Sequence, residues 1–200
     1  MSGAAEAIDL LERAVRQSAQ VIGAIGVDAH HLPTPCPEWD VQALVRHVIG
    51  QDLRNFAAAA CGGTPDWLAP PRALGPDWVA QFDAGAAEVL ANWRAADLDR
   101  EVVMPSGAAA SLGSRVDQQI AELTVHSWDL ARATGQRAEL DPALAERSLA
   151  WARPMLRPQF RGPDMAFGDE VPVPETAPVY DRLAGWFGRD PQWAGESAGG

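Results

Sequence analysis

The 200-residue chain contains no lysine; all 16 of its basic residues are arginines. That absence excludes a Schiff-base lysine, a phosphate-loop lysine and a Ser/Lys dyad together. With abundant Ala, Gly and Pro beside it, the bias reads as that of a GC-rich genome. Cysteine is scarce as well. Cys36 and Cys61 are too few and too far apart for a disulfide framework or a paired-cysteine zinc knuckle, so a reduced cytoplasm is the expected setting. No apolar run approaches the ~20 residues that span a bilayer. The N-terminus MSGAAEAIDLLERAV lacks the basic leader of a signal peptide and already carries acids. Positive charge is outnumbered: 27 acidic residues set a net charge of −11 and a pI of about 4.7, so nucleic acid would meet repulsion in place of counterion release. Missing too are a Gly-x-Ser-x-Gly elbow, a dinucleotide-binding Gly-x-Gly-x-x-Gly, a phosphate-binding loop and any sustained strand alternation.

What remains is an all-α pattern. A chain of this length with 47% hydrophobic residues buries one real core. The expectation is a single domain over 1–200, with a bundle at about 4–135 and an accessory helix and tail at about 136–200. Ile8, Leu11, Val15, Ile22 and Ile25 mark a first helix from about Ala4 to Val27. HHLPTPCPEW then breaks it as a proline-stiffened connector. Asp40 is placed to cap a second helix carrying Val41, Leu44, Val45, Val48, Ile49 and Phe56 to about Ala60. A third runs from about Pro76 to Ala95 on Val79, Phe82, Ala86, Val89, Leu90 and Trp93. The fourth spans about Ser114 to Thr134, with Gly135 as its stop. Four helices with apolar stripes and polar opposite faces predict a four-helix bundle. A shorter helix is expected at about Pro142 to Leu156, then irregular chain with a short extended piece at Val171 to Val173, and a final turn or two at Val179 to Phe187.

The fourth helix carries AELTVHSWDLARATG, Ala121 to Gly135, with Glu122, His126 and Asp129 close together. At roughly 100° per residue, Glu122 and His126 fall on one stripe, away from the apolar positions. Residues four apart lie about 5–6 Å from each other at Cβ, near enough to bind one ion or each other. On the second helix His47 projects toward the edge of its apolar stripe and could face that pair across the bundle. Two imidazoles and one carboxylate suit Zn²⁺, Ni²⁺ or Fe²⁺, with positions left for water or substrate. A simple helical ion pair beside a solvated histidine is the competing reading.

The segments LPTPCPEWDVQALVRHVIG, Leu32 to Gly50, and AELTVHSWDLARATG together resemble the actinobacterial relatives of the mycothiol-dependent maleylpyruvate isomerase metal-binding domain, in the DinB-like superfamily. FGDEVPVPETAPVYDRLAGWFGRDP resembles the tail of a small uncharacterised branch of that group. The resemblance implies a four-helix bundle holding a divalent ion, usually zinc, through His47, Glu122 and His126. It also implies a small thiol of the mycothiol type as cosubstrate, attacking an electrophilic small molecule. The 74 residues that follow His126 show little sign of the second α/β domain that follows the isomerase bundle, a departure that bears on isomerase activity and leaves the expected metal site untouched.

Smaller expectations attach to other side chains. Cys36 is a candidate fourth ligand or thiol nucleophile, or else a packing residue. Gln51 and Gln119 could hydrogen-bond a ligand water. Asp129 could orient a ligand histidine or pair with Arg132 or Arg46 at the surface. Trp39 and Trp128 read as packing residues, and His30 and His31 as solvated. An enzyme, a metal-dependent hydrolase, and a non-enzymatic metal- or partner-binding bundle all stay open, and a homodimer could form through an outer face.

Overall fold

The computed structural model of the chain describes residues 3–37, 39–103, 109–162 and 167–195. Helix α1 (Gly3–Gly23) is followed by the proline connector, a short helix α2 (Val41–His47), a π-helical turn (Val48–Asp52) and α3 (Leu53–Ala60). Then come α4 (Trp78–Ala95), two three-residue strands β1 (Glu101–Val103) and β2 (Ala109–Ser111), and α5 (Gly113–Ala133). Helices α6 (Pro142–Met155) and α7 (Val179–Trp186) complete the order. The all-α expectation holds, and the four-helix pattern is present: α1 packs on α4 and α5, α3 on α4, and α2 on α5.

Local chemistry accounts for the boundaries. The Asp40 carboxylate accepts the Ala43 N–H at 2.7 Å, Asp77 caps α4 through Ala80 and Asp141 caps α6 through Ala143. Gly135 adopts φ +64° after α5, and the Gln136 N–H returns to the Ala131 carbonyl at 2.9 Å, closing the helix in a left-handed cap. The connector is a folded loop. Thr34 Oγ1 donates within reach of the Cys36 and Trp39 carbonyls, while the Val41 and Gln42 N–H groups bond the Leu32 and His30 carbonyls.

Four features differ from the sequence reading. The first helix ends at Gly23, short of Val27. An antiparallel pair, β1 with β2, precedes α5; strands of three residues are too short to show alternation. The second helix is not one regular rod, because the Leu53 N–H bonds the Val48 carbonyl and inserts a wide turn in mid-helix. Finally, the middle of α5 has no polar outer face. From Gln119 to Ala131 every residue except Glu122 is buried, because α6 and α7 pack over its Ala121 and Val125 side. One hydrophobic cluster joins α1 to α5, and a second joins α5 to α6 and α7. Val171–Val173 forms no strand, although the Val171 N–H bonds the Gly185 carbonyl at 2.9 Å.

Candidate metal centre

The wide turn decides what faces the bundle interior. On a regular helix, residues five apart point about 140° from each other. The π-helical turn between His47 and Asp52 takes up that difference, and His47 Nε2 lies 3.2 Å from Asp52 Oδ1. A second segment packs onto the turn. The Gly50 carbonyl accepts the Arg72 N–H at 3.2 Å, and a Cβ at Gly50 would lie 2.7 Å from the Arg72 carbonyl oxygen, so only glycine fits there.

Across from it, α5 presents Glu122 and His126, with His126 Nε2 at 3.5 Å from Glu122 Oε2. One donor atom from each of His47, Asp52, Glu122 and His126 lies within 4.8 Å of the others. Trp39 forms a wall: its ring stacks on His47 at 4.4 Å between centroids and lies 5.9 Å from that of His126. The His126 and Asp52 side chains are 5% and 2% exposed, whereas those of His47 and Glu122, at 13% and 14%, form the open side.

Hydrogen bonds fix which nitrogen of each imidazole faces the cluster. Gln51 Nε2 donates to the carbonyls of Trp67 and Ala69, both at 2.9 Å, so its Oε1 must be the atom 2.8 Å from His47 Nδ1. His47 therefore carries its proton on Nδ1 and turns the Nε2 lone pair toward Asp52. On α5, His126 Nδ1 donates to Asp129 Oδ2 at 3.1 Å, leaving Nε2 directed at Glu122. Asp129 in turn is gripped by Arg189, whose Nε and Nη2 donate to its two oxygens at 3.2 and 3.0 Å.

Protonation follows from burial and neighbours. Burial, then the nearby His126, lowers His47 to about 4, against the raising pull of Glu122 and Gln51. Burial opposes charge on His126 too. There the Asp129 and Glu122 hydrogen bonds and their charges win, holding it up at about 9. Burial would raise Glu122, but its hydrogen bond to His126 and the charges of His126, His47 and Arg189 keep it low. Asp129 likewise stays low against burial, held by Arg189 and His126. Asp52 is the exception: burial, then Glu122, pushes its carboxyl well above the usual range.

Asp52 also supplies the test of whether a cation fits. Both of its carboxylate oxygens are buried without a hydrogen-bond partner, and Oδ1 confronts the lone pair of a neutral imidazole. A buried carboxylate left unpaired is costly, and a cation between the two removes that cost. Two imidazole nitrogens and two carboxylates form a donor set suited to a divalent first-row metal.

The structure thus brings together His47, Glu122 and His126 and places Gln51 and Asp129 behind the two histidines. Gln119 lies elsewhere, buried and accepting the Trp93 indole N–H at 2.7 Å. Cys36 is outside the cluster, in the connector and within electrostatic reach of Arg189, and neither cysteine is disulfide-bonded. Asp129 is fully buried and pairs with Arg189, not with Arg132 or Arg46 at a surface; Arg132 instead bonds the Pro191 carbonyl and lies over the Trp128 ring. Trp128 is buried as a packing residue, His31 is solvated, and His30 stacks on Trp78 at 4.0 Å. Sequence periodicity missed Asp52, which a regular helix would aim away, and Arg189, 60 residues beyond Asp129. Gly188, a stop just past an apolar turn, was the one local signal that the chain folds back there.

Bundle and cluster define an all-α protein of the DinB-like type with a candidate metal centre between helices. The chain belongs to the mycothiol maleylpyruvate isomerase N-terminal domain family, whose sequence model matches residues 11–131. It is 35% identical over 189 residues to uncharacterised proteins from two strains of Mycobacterium tuberculosis, covering 89% of this chain and 94% of theirs. Among solved structures it is similar to mycothiol-dependent maleylpyruvate isomerase, with a TM-score of 0.54 at 15% identity. A histidine-to-alanine mutant of that enzyme gives 0.58 at 17% identity; each match covers 74% of this chain and 68% of the other. Identities this low speak for the fold alone. Among the described residues, no helix is long and apolar enough to cross a membrane.

Proposed function

We propose that this protein is a divalent-metal-dependent enzyme that adds a low-molecular-weight thiol of the mycothiol type to an electrophilic small molecule, as a transferase or as an isomerase working through a thiol adduct. His47, Glu122 and His126 hold the metal, with Asp52 as a fourth donor, and zinc is the favoured ion, with nickel or iron suited to the same donors. The observation that carries this reading is the pair of orphaned Asp52 oxygens facing an imidazole lone pair inside a cluster of four ligand atoms. A divalent cation in that place stabilises a thiolate against its thiol and polarises a carbonyl.

The chain's own residues supply the rest. Gln51 and Asp129 hold the two imidazoles in the tautomer that offers Nε2. Trp39, stacked on His47, is the apolar wall that shields the cluster beside its open side. The family supports thiol chemistry through the name of the solved relative, a mycothiol-dependent maleylpyruvate isomerase.

The test is metal analysis of the purified protein beside His47→Ala and His126→Ala, followed by an electrophile assay. One equivalent of metal in the parent, its loss in both variants, and electrophile consumption that needs both thiol and metal are the expected results. Equal metal content in all three proteins removes the site. A metal-loaded parent inert toward a broad electrophile panel, with thiol present, overturns the enzyme reading in favour of a metal-binding bundle.

A further inference from the structure

We infer that Arg189, from the C-terminal segment beyond the family-matched region, is a positioning residue of the metal centre, fixing through Asp129 the ring orientation and tautomer of His126. The inference rests on the reading of the cluster as a metal site.

Arg189 arrives through a specific turn. Helix α7 closes in a Schellman cap: the Gly188 N–H bonds the Gly185 carbonyl at 3.0 Å and the Arg189 N–H bonds the Ala184 carbonyl at 2.9 Å. Gly188 sits at φ +79°, in the left-handed region, and a Cβ there would also lie 3.0 Å from the Asp169 carbonyl oxygen. The reversal sends the Arg189 side chain inward, where it is 8% exposed. Its Nη1 donates to the Phe187 carbonyl at 2.8 Å, which steadies the guanidinium.

The remaining donors fork onto Asp129. Oδ1 takes Nε–H, whereas Oδ2 takes Nη2–H and, from the other side, His126 Nδ1–H. Asp129 has no exposed surface, so water cannot replace either partner. With the fork in place, the carboxylate plane is set and Oδ2 stays in line with the imidazole. Without it, Asp129 is free to rotate about its last torsion and His126 loses its single Nδ1 acceptor.

Arg132 provides a built-in comparison, because it ties the same segment to α5 through the Pro191 carbonyl without touching Asp129. A role limited to docking the tail predicts similar consequences for both arginines. A positioning role separates them.

The experiment titrates the metal-free full-length protein with Co²⁺, reading its ligand-field absorption, and obtains Zn²⁺ affinity by competition. Arg189→Gln should bind about 10–100-fold more weakly with an altered cobalt spectrum, the size expected for a partner behind a ligand. Arg189→Lys, which keeps the charge and loses the fork, should fall between, and Arg132→Gln should match wild type. Asp129→Asn should reproduce the loss, and adding Arg189→Gln to it should cause no further weakening. That double variant also removes both buried charges, and it carries the comparison if Arg189→Gln alone does not fold. Wild-type affinity and spectrum in Arg189→Gln, equal losses in Arg132→Gln, or multiplying losses in the double variant would overturn the inference and leave the metal reading standing. A wild-type protein that takes up no cobalt overturns the metal reading, and this inference with it.

Discussion

Replacing Asp52 by Asn should move the protein in opposite directions with and without metal. In the metal-free protein, at a pH above the raised range in which its carboxyl titrates, Asp52 is a buried carboxylate with two unpartnered oxygens, one of them 3.2 Å from the His47 lone pair. An asparagine amide removes the charge and offers an N–H to His47 Nε2, a gain of about 1 kcal/mol, with relief of the orphaned acceptor on the order of 1 kcal/mol more. For a chain of this size that raises the melting temperature by a few degrees, at about 2–4 °C per kcal/mol. With Zn²⁺ the order reverses. At a free metal concentration of 100 times Kd, binding stabilises wild type by about 2.7 kcal/mol. A 100-fold loss of affinity in Asp52→Asn would leave about 0.4 kcal/mol of that gain. The assay is thermal unfolding of both proteins, at a pH above the raised Asp52 range, in chelator and in buffered Zn²⁺. Wild type should shift by about 5–11 °C on adding metal and the variant by about 1–2 °C. A variant that melts below wild type in chelator, or that keeps the full metal shift, would refute the assignment of Asp52 as a fourth donor.

Gln51→Leu removes the acceptor of His47 Nδ1–H together with the donor to the Trp67 and Ala69 carbonyls, and should weaken Zn²⁺ binding about 10–100-fold in a competition titration. Gly185→Ala would drive a Cβ to 2.5 Å from the Val171 carbonyl oxygen and 2.4 Å from Val173 Cγ2; urea unfolding should show a loss of about 1–3 kcal/mol. Trp93→Phe deprives buried Gln119 of the donor to Oε1 while its Nε2 already lacks a partner, and should cost about 1–3 kcal/mol in the same assay.

Helices were legible in the sequence because periodicity and caps agree: Asp40 opens α2 and Gly135 closes α5 where their chemistry demands. Glu122 and His126 were legible as a pair for the same reason, being one turn apart on a regular helix. Asp52 was not. The wide turn leaves no composition signal, since Val48 and Leu53 remain buried as they would on an unbroken rod. The surroundings of α5 were legible only in part: the sequence left Asp129 either behind a ligand histidine or paired at the surface, and α6, α7 and the tail, which cover that side, make it an internal group bonded to His126 and Arg189. Pairing Arg189 with Asp129 depends on a chain reversal and a separation of 60 residues, which no local pattern encodes.

The wide turn at Val48–Asp52 also makes the site sensitive to counting. A regular helix through the same residues would set His47 and Asp52 about 140° apart, so the segment keeps the pair together only by widening the turn. Removing one residue between them would leave a histidine and an acid four apart, on one face of an ordinary helix. A relative lacking that residue could therefore present the same constellation without the wide turn, so chain length in this segment is as informative as residue identity.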